Sequence, residues 1–280
     1  KKANYQIKQT PKKLSHYNML KNLELTENEF LKLFNFAQKL NLNFISTPYD
    51  IKSVKLLKKL NINCFKTAST DLIDLLLHKE IIKTKKPVII STGASTMSEI
   101  KKTIDFYKKN KYNKISLLHC VSNYPCSYES LNLNCLEKLK KFKCKIGFSD
   151  HSIGLEAGIV AAAIGARIIE KHFTLNKKLS GPDHKISLDP KQLSLFVKCV
   201  NNTSKMLGNY QKKITASEKV NIIPARKSIY ASKNIKKGEK FSKLNLTVKR
   251  PQNGIKASSW KKVINQKSNY NFKKNQLIKL

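Results

Sequence analysis

Short apolar runs alternate with longer stretches in which apolar residues recur every three or four positions. The first pattern is that of strands buried on both faces, the second that of amphipathic helices. Thr26 followed by Glu29 predicts a capped helix running to about Leu40. Strand Asn43–Ser46 and a helix over 50–60 follow. Strand Cys64–Lys66 leads to a helix over 71–84, and Val88–Ser91 to a helix over 98–110. Strand Ile115–His119 precedes a long loop and a helix over 133–142. Lys145–Ser149 leads to an Ala-rich helix over 154–165, and Ile168–Lys171 to a loop and a helix over 190–207. Residues 1–25 read as polar and irregular.

Strand alternating with helix predicts an α/β fold with a parallel sheet. Six strands fall short of the eight that close a (β/α)8 barrel, and the first helix has no strand before it. The count therefore predicts two further strands upstream of Lys1. An open doubly wound sheet is the alternative. No Gly-rich phosphate turn follows any strand, which disfavours it. The barrel is expected over 1–208 and a linker over 209–225. A small β-rich module is expected over 226–280, with short pieces at Ser228–Ala231, Lys240–Phe241 and Leu246–Val248.

Charged and imidazole side chains gather at the predicted strand ends: His119, Asp150-His151, Lys171-His172 and, beyond them, Asp183. In a barrel those ends build the active site. Singly, each reads as a helix cap, a strand end or a turn. Imidazoles from neighbouring strands can bind a divalent metal and leave positions open for substrate. Lys66, Ser69, Ser91 and Ser149 also fall at strand ends, where a cation and hydroxyls can hold a phosphate.

Composition changes the picture little. The formal net charge is +37, almost all of it from lysine. A lysine, asparagine and isoleucine excess is what an AT-rich genome produces. The lysines are spread over helix faces and turns, and only Arg167, Arg226 and Arg250 are arginine, which argues against a nucleic-acid reader. The six cysteines form no CxxC pair and read as reduced cytosolic thiols. No apolar run is long enough to span a membrane, and no signal peptide is read.

The ordered strings Phe44-Ile-Ser-Thr-Pro-Tyr49, Phe65-Lys-Thr-Ala-Ser69, Ile90-Ser-Thr-Gly93, Leu118-His-Cys120, Tyr124-Pro125, Phe148-Ser-Asp-His151, Glu170-Lys-His-Phe-Thr174 and Gly181-Pro-Asp183 carry a family resemblance. So do Val248-Lys-Arg-Pro251 and Asn253-Gly254. With them the chain resembles the sialic acid synthase family, which includes legionaminic and pseudaminic acid synthases, over nearly its whole length.

The resemblance implies a TIM barrel followed by an antifreeze-like (SAF) domain. It implies condensation of phosphoenolpyruvate with N-acetylmannosamine or a related N-acylated hexose. The products would be a nine-carbon 2-keto sugar acid and phosphate. It places Mn2+ or Mg2+ on His151 and His172, and phosphate on Lys66, Ser69, Ser91, Ser149 and Ser122. Asp71, Tyr124, Glu170 and Asp183 match sugar-side or metal-proximal positions. Asp71 stands where many members carry Glu, and Ser122 where the family often has Asn. Arg250 matches an arginine that reaches into the partner's barrel, which implies a domain-swapped homodimer in the cytoplasm.

Family members begin with one strand bearing a Glu near the metal and a second bearing a phosphate-binding Lys, and residue 1 aligns after both. A chain without them is expected to expose sheet edges, fold poorly and be inactive. The rivals are another phosphoenolpyruvate-dependent synthase, a Schiff-base aldolase using Lys66 or Lys171, and an inactive relative or nucleic-acid binder.

Overall fold

A computed structural model describes Lys2, Gln6, Ile7 and residues 15–280. They belong to two compact units, Lys1–Gly208 and Asn209–Leu280. The first unit holds one parallel sheet of five strands: β1 Phe65–Thr67, β2 Val88–Ser91, β3 Ile115–Cys120, β4 Lys145–Asp150 and β5 Ile169–Lys171. Spatial order follows chain order, and every connection between strands carries helix. This is the arrangement of half a (β/α)8 barrel.

Local chemistry sets the helix starts. Thr26 with Glu29, Thr96 with Glu99 and Asp189 with Gln192 form reciprocal capping boxes. Asp50 and Asp74 cap their helices from one side. After the helices Glu27–Lys39 and Ile51–Lys59 the chain turns through Asn41 and Asn61, both at φ 55°. Asparagine tolerates that left-handed conformation better than most residues.

Register divides the sheet into two faces. Lys66 pairs with Ile89, Ser91 with Leu118, Cys120 with Ser149 and Ser149 with Glu170. Paired residues in a parallel sheet point the same way, and alternate residues share a face. Lys66, Ser91, Cys120, Ser149 and Glu170 therefore lie on one face. The other carries Phe65, Ile90, Leu117, Ile146 and Phe148, all buried. These pack with Leu57, Leu77, Ile104 and Tyr107 of the surrounding helices into the core.

The structure corrects several sequence expectations. Asn43–Ser46 is not a strand; it joins no ladder. Its apolar position, Phe44, sits edge-on to Phe30 and Phe34 of the preceding helix, so alternation here serves helix packing. The sheet thus has five strands rather than six. His16–Lys21 is helical, capped by Ser15, within the stretch expected to be irregular. Residues 1, 3–5 and 8–14 of that stretch lie outside the description. The single helix expected over 133–142 is a series of short pieces, Tyr128–Leu131, Cys135–Leu139 and a 3-10 turn Lys140–Phe142, with Asn132 at φ 45° between the first two.

In the second unit β6 Ser228–Ala231 pairs antiparallel with β7 Leu246–Lys249 over a core of Ile229, Phe241, Val263, Phe272 and Ile278. Lys240–Phe241 forms no strand; Lys240 makes one bridge, to Lys267. The expected linker holds two short helices, Ala216–Lys219 and Ile222–Ala225. No described helix is long and apolar enough to cross a membrane, and all six cysteines are unpaired.

Candidate active site

The polar face of the sheet ends in two adjoining groups. The first gathers hydroxyls around Gly93. Ser69, in a 3-10 turn after β1, accepts the Gly93 N–H at 2.9 Å. The Ser69 hydroxyl in turn donates to Cys120 Sγ at 3.5 Å. A Cβ on Gly93 would stand 2.3 Å from Ser122 Oγ, 2.8 Å from Ser69 Oγ and 3.0 Å from Cys120 Sγ. All three side chains therefore converge on one spot. Ser91 is buried with no partner for its hydroxyl, and Ser149 is buried beside them on the same face. Lys66 Nζ lies 3.2 Å from Glu170 Oε1. A cation beside converging hydroxyls, that of Ser91 without a partner, can make an oxyanion site.

The turn carrying Ser69 and Asp71 is held from behind. The Leu72 carbonyl accepts from Thr103 Oγ1 at 2.7 Å and His78 Nε2 at 3.1 Å. With Nε2 donating, His78 Nδ1 accepts the Tyr107 hydroxyl at 2.8 Å. Burial lowers the His78 pKa, in keeping with a neutral ring.

Gly93→Ala is expected to push the Ser69 and Ser122 hydroxyls off this spot. Losing a hydrogen bond to an anion is worth about 1.5–3 kcal/mol, roughly a tenfold or greater fall in affinity. Inorganic phosphate titrated by calorimetry measures it, with the melting temperature as the control for folding. Unchanged phosphate affinity would remove these hydroxyls from the site.

The second group is an imidazole pair. His151 and His172 face each other with ring centroids 5.4 Å apart, and Tyr124 packs on both, at 4.1 and 5.9 Å. His151 Nδ1 lies 2.8 Å from the Val121 carbonyl and 3.8 Å from Cys120 Sγ. The shorter contact assigns the proton: Nδ1–H donates to the carbonyl, and Nε2 keeps a lone pair. His172 Nδ1 lies 3.9 Å from Asp183 Oδ2. Burial lowers the His172 pKa, against the pull of Asp183. At His151 burial also disfavours the cation, but the Cys120 and Val121 contacts outweigh it and the pKa is raised. Asp71 is pushed up by burial. The Tyr49 hydroxyl is raised by burial and by the negative charges of Asp71 and Glu170.

Five buried side-chain polar atoms among the described residues lack a partner: Thr67 Oγ1, Asp71 Oδ2, Ser91 Oγ, Glu170 Oε2 and Asp183 Oδ1. Thr67 is on the core-facing side. The other four are site residues read from the sequence. Unpartnered buried polar atoms are rare and need an explanation, of which a ligand is one.

The structure sorts the sequence-derived candidates. Lys66, Ser69, Ser91, Ser122 and Ser149 fall in the first group, Tyr124, His151, His172 and Asp183 in the second, and Glu170 joins them. Asp71 lies beside the first group. Arg250 is exposed in the second unit, at the end of β7. His119 and Lys171, read as rim residues, are on the opposite face. His119 Nε2 bonds the Leu131 carbonyl at 2.7 Å and its ring stacks on Phe148. Lys171 is buried against Asp150 at 2.7 Å. Cys120, Gly93 and Tyr49 belong to the site and were not singled out from the sequence. The register of Cys120, two residues past Leu118 and one past His119, is the signal that finds it.

Two lines of similarity bear on this site. The NeuB family profile matches residues 1–212 and the SAF domain profile residues 226–280. An N,N'-diacetyllegionaminic acid synthase of Campylobacter jejuni is 42% identical over 282 residues, spanning 100% of this chain and 84% of that protein. A pseudaminic acid synthase of the same species is 37% identical over 251 residues, 89% of this chain and 72% of that one. Among solved structures, the N-acetylneuraminic acid synthetase of Leptospira borgpetersenii, crystallised with citrate, superposes with TM-score 0.70 at 38% identity. That match covers 73% of this chain and 72% of that one.

Proposed function

The chain belongs to the NeuB family, and on that premise we propose that it condenses phosphoenolpyruvate with an N-acylated mannose-type sugar. The products are a nine-carbon 2-keto sugar acid and inorganic phosphate. One observation carries the reading: the end of a single sheet face brings a cation and converging serine hydroxyls, that of Ser91 unpartnered, together with two imidazoles and two carboxylates that hold unpartnered oxygens.

In this reading Lys66, Ser69, Ser91 and Ser149, with Ser122, hold the phosphate. C3 of the enolpyruvyl group bonds to the sugar's aldehyde carbon, spending the C2=C3 π bond, and the aldehyde oxygen takes up a proton to become a hydroxyl. Water adds at C2, and the C2–O bond to phosphate breaks as the new C2 hydroxyl gives up its proton and becomes the keto oxygen. The proton of the attacking water goes to a carboxylate. Asp71 suits that task through its raised pKa and Glu170 through its place at the junction of the groups.

His151 and His172 would hold a divalent cation, Mn2+ or Mg2+. Their fit rests on the free Nε2 of His151 and on the unpartnered oxygens of Glu170 and Asp183. No three His, Cys, Asp or Glu side chains among the described residues converge as a ready-made metal cluster, so substrate or water would complete the shell. The bound cation would supply Lewis-acid polarisation of the aldehyde. Tyr124, packed on both rings, fixes their orientation.

A Schiff-base aldolase requires a free lysine amine. Lys171 is locked in a buried ion pair and Lys66 is paired with Glu170, which weighs against that rival.

The test is incubation with Mn2+, phosphoenolpyruvate and a panel of N-acylated mannose-type sugars, with products followed by mass spectrometry. A metal-dependent nine-carbon keto acid with equimolar phosphate is the expected result. Absence of product with every sugar would overturn the reading.

The same proposal has Arg250 serving the barrel of a second subunit in a domain-swapped homodimer. Mixing inactive Arg250→Ala and His151→Ala subunits should then restore about a quarter of wild-type activity. The estimate assumes random exchange, which leaves one intact site in half of the dimers. No recovery after subunit exchange would argue for sites built within one chain.

A further inference from the structure

Positive charge is concentrated in the C-terminal module. Residues 226–280 hold sixteen lysines and arginines against one acid, Glu239, whereas the preceding 225 residues hold 39 against 17. A genome-wide drift toward lysine codons acts on both parts and does not strip acids from one. None of the ion pairs among the described residues involves this module. Its cations are left to solvent or to a partner.

The charge has a focus. Ile235 and Phe272 pair through an antiparallel bridge. Lys236 and Lys237 follow the one, Lys273 and Lys274 the other, and all four line an open cleft of about 1080 Å³. Asn234, Asn271, Asn275 and Gln276 line it too. Each of these amides has its oxygen occupied. Asn271 Oδ1 accepts the Lys237 N–H at 2.7 Å, Asn234 Oδ1 the Lys274 N–H at 2.9 Å and Gln276 Oε1 the Lys273 N–H at 2.8 Å. Asn275 Oδ1 accepts from Lys249 Nζ. A backbone N–H can bond only the oxygen of an amide, so the first three orientations are fixed. The side chains therefore offer N–H donors, four ammonium groups and four amides, with every amide oxygen already engaged.

A donor-rich surface calls for an acceptor-rich, negatively charged partner. Arginine and exposed aromatic rings, which grip nucleic acid, are absent from the cleft lining, and Phe272 is buried beneath it. Exposed apolar side chains, which would enter a lipid surface, are absent as well. From this we infer that the cleft of Lys236, Lys237, Lys273 and Lys274 docks a carboxylated polysaccharide. Ammonium groups meet its carboxylates, and amide N–H groups meet its hydroxyl and ring oxygens.

The full chain would be titrated with polygalacturonate. Neutral dextran, poly(dT) and phosphatidylglycerol vesicles serve as comparisons. Polygalacturonate is expected to bind more tightly than poly(dT) or the vesicles, and dextran not at all. Replacing Lys236, Lys237, Lys273 and Lys274 together with Glu should weaken that binding at least tenfold. The same reversal at the exposed Lys58, Lys59, Lys108 and Lys109 should change it less than threefold. Thermal melts confirm that both variants fold. Equal losses in the two variants would reduce the effect to net charge and overturn the assignment. Tighter binding of poly(dT) or of vesicles would overturn it in favour of a phosphate polymer or a lipid surface.

Discussion

Lys171→Met is expected to lower the unfolding free energy by about 3–5 kcal/mol, the usual penalty for removing one partner of a buried ion pair. The Lys171 and Asp150 side chains are 3% and 0% exposed, with Nζ and Oδ2 2.7 Å apart. Asp150 also accepts the Ser152 N–H at 2.8 Å and the Ser152 hydroxyl at 2.7 Å, while Lys171 donates to the Ser152 carbonyl at 2.6 Å. Without the ammonium, a carboxylate stays buried with two neutral donors. For a domain of this size the loss corresponds to a melting-point drop of about 10 °C. Asp150→Asn combined with Lys171→Met removes the stranded charge and should recover at least about 1 kcal/mol of it. Urea unfolding of the two single variants and the double variant completes the cycle. A single-variant loss below about 1 kcal/mol, or strict additivity, would show that the pair does not hold this corner together. Asp150 and Ser152 flank His151 in the chain and Lys171 precedes His172, so the variant should lose activity along with stability.

Replacing His151 or His172 with Ala is expected to lower kcat/KM at least about 1000-fold, equivalent to roughly 4 kcal/mol of transition-state stabilisation. The two rings stand 5.4 Å apart and share Tyr124 as packing partner. Groups that act as a unit are non-additive, so the double variant should be little worse than either single one. Phosphate affinity, which depends on Lys66 and the serines, should stay within about threefold of wild type; that readout separates loss of the imidazole pair from collapse of the site. Stripping divalent cations with a chelator should reproduce the defect in the wild-type chain, and Mn2+ should reverse it. Either single variant retaining more than about a tenth of wild-type activity would exclude a joint role for the pair.

Much of this site is legible in the sequence, and the exceptions have a common physical cause. Strand ends were readable from apolar runs, and β2 falls where that reading puts it. The side on which each terminal residue points was not. His119 and Cys120 are neighbours in the chain, as are Lys171 and His172, yet each pair splits between the core and the site because strand residues alternate. Reading polar residues at strand ends as one rim merged two faces. It recruited His119 and Lys171 and passed over Cys120. Phe44 misled for a different reason: one aromatic between polar residues satisfies both a strand and a helix-packing position, and only hydrogen-bonded neighbours tell them apart. The partnerless state of Ser91 and Asp183 had no sequence signal at all, since satisfaction of a buried group depends on every residue around it.

The order of the sheet also bears on how the chain is made. Each strand from β2 to β5 pairs with the strand translated just before it, as in Phe65 with Val88 and Val88 with Ile115. At about 5–20 residues per second a ribosome releases a strand–helix unit every few seconds. Hairpins and local helices form in microseconds or less, so each unit has ample time to dock on its predecessor before the next emerges. Assembly of these five strands can then run vectorially, with one growing edge at a time, and each of β2 to β5 finds its partner already made. The imidazole pair straddles the last two of those strands, so it is assembled after the phosphate-side residues Lys66, Ser69 and Ser91 are in place.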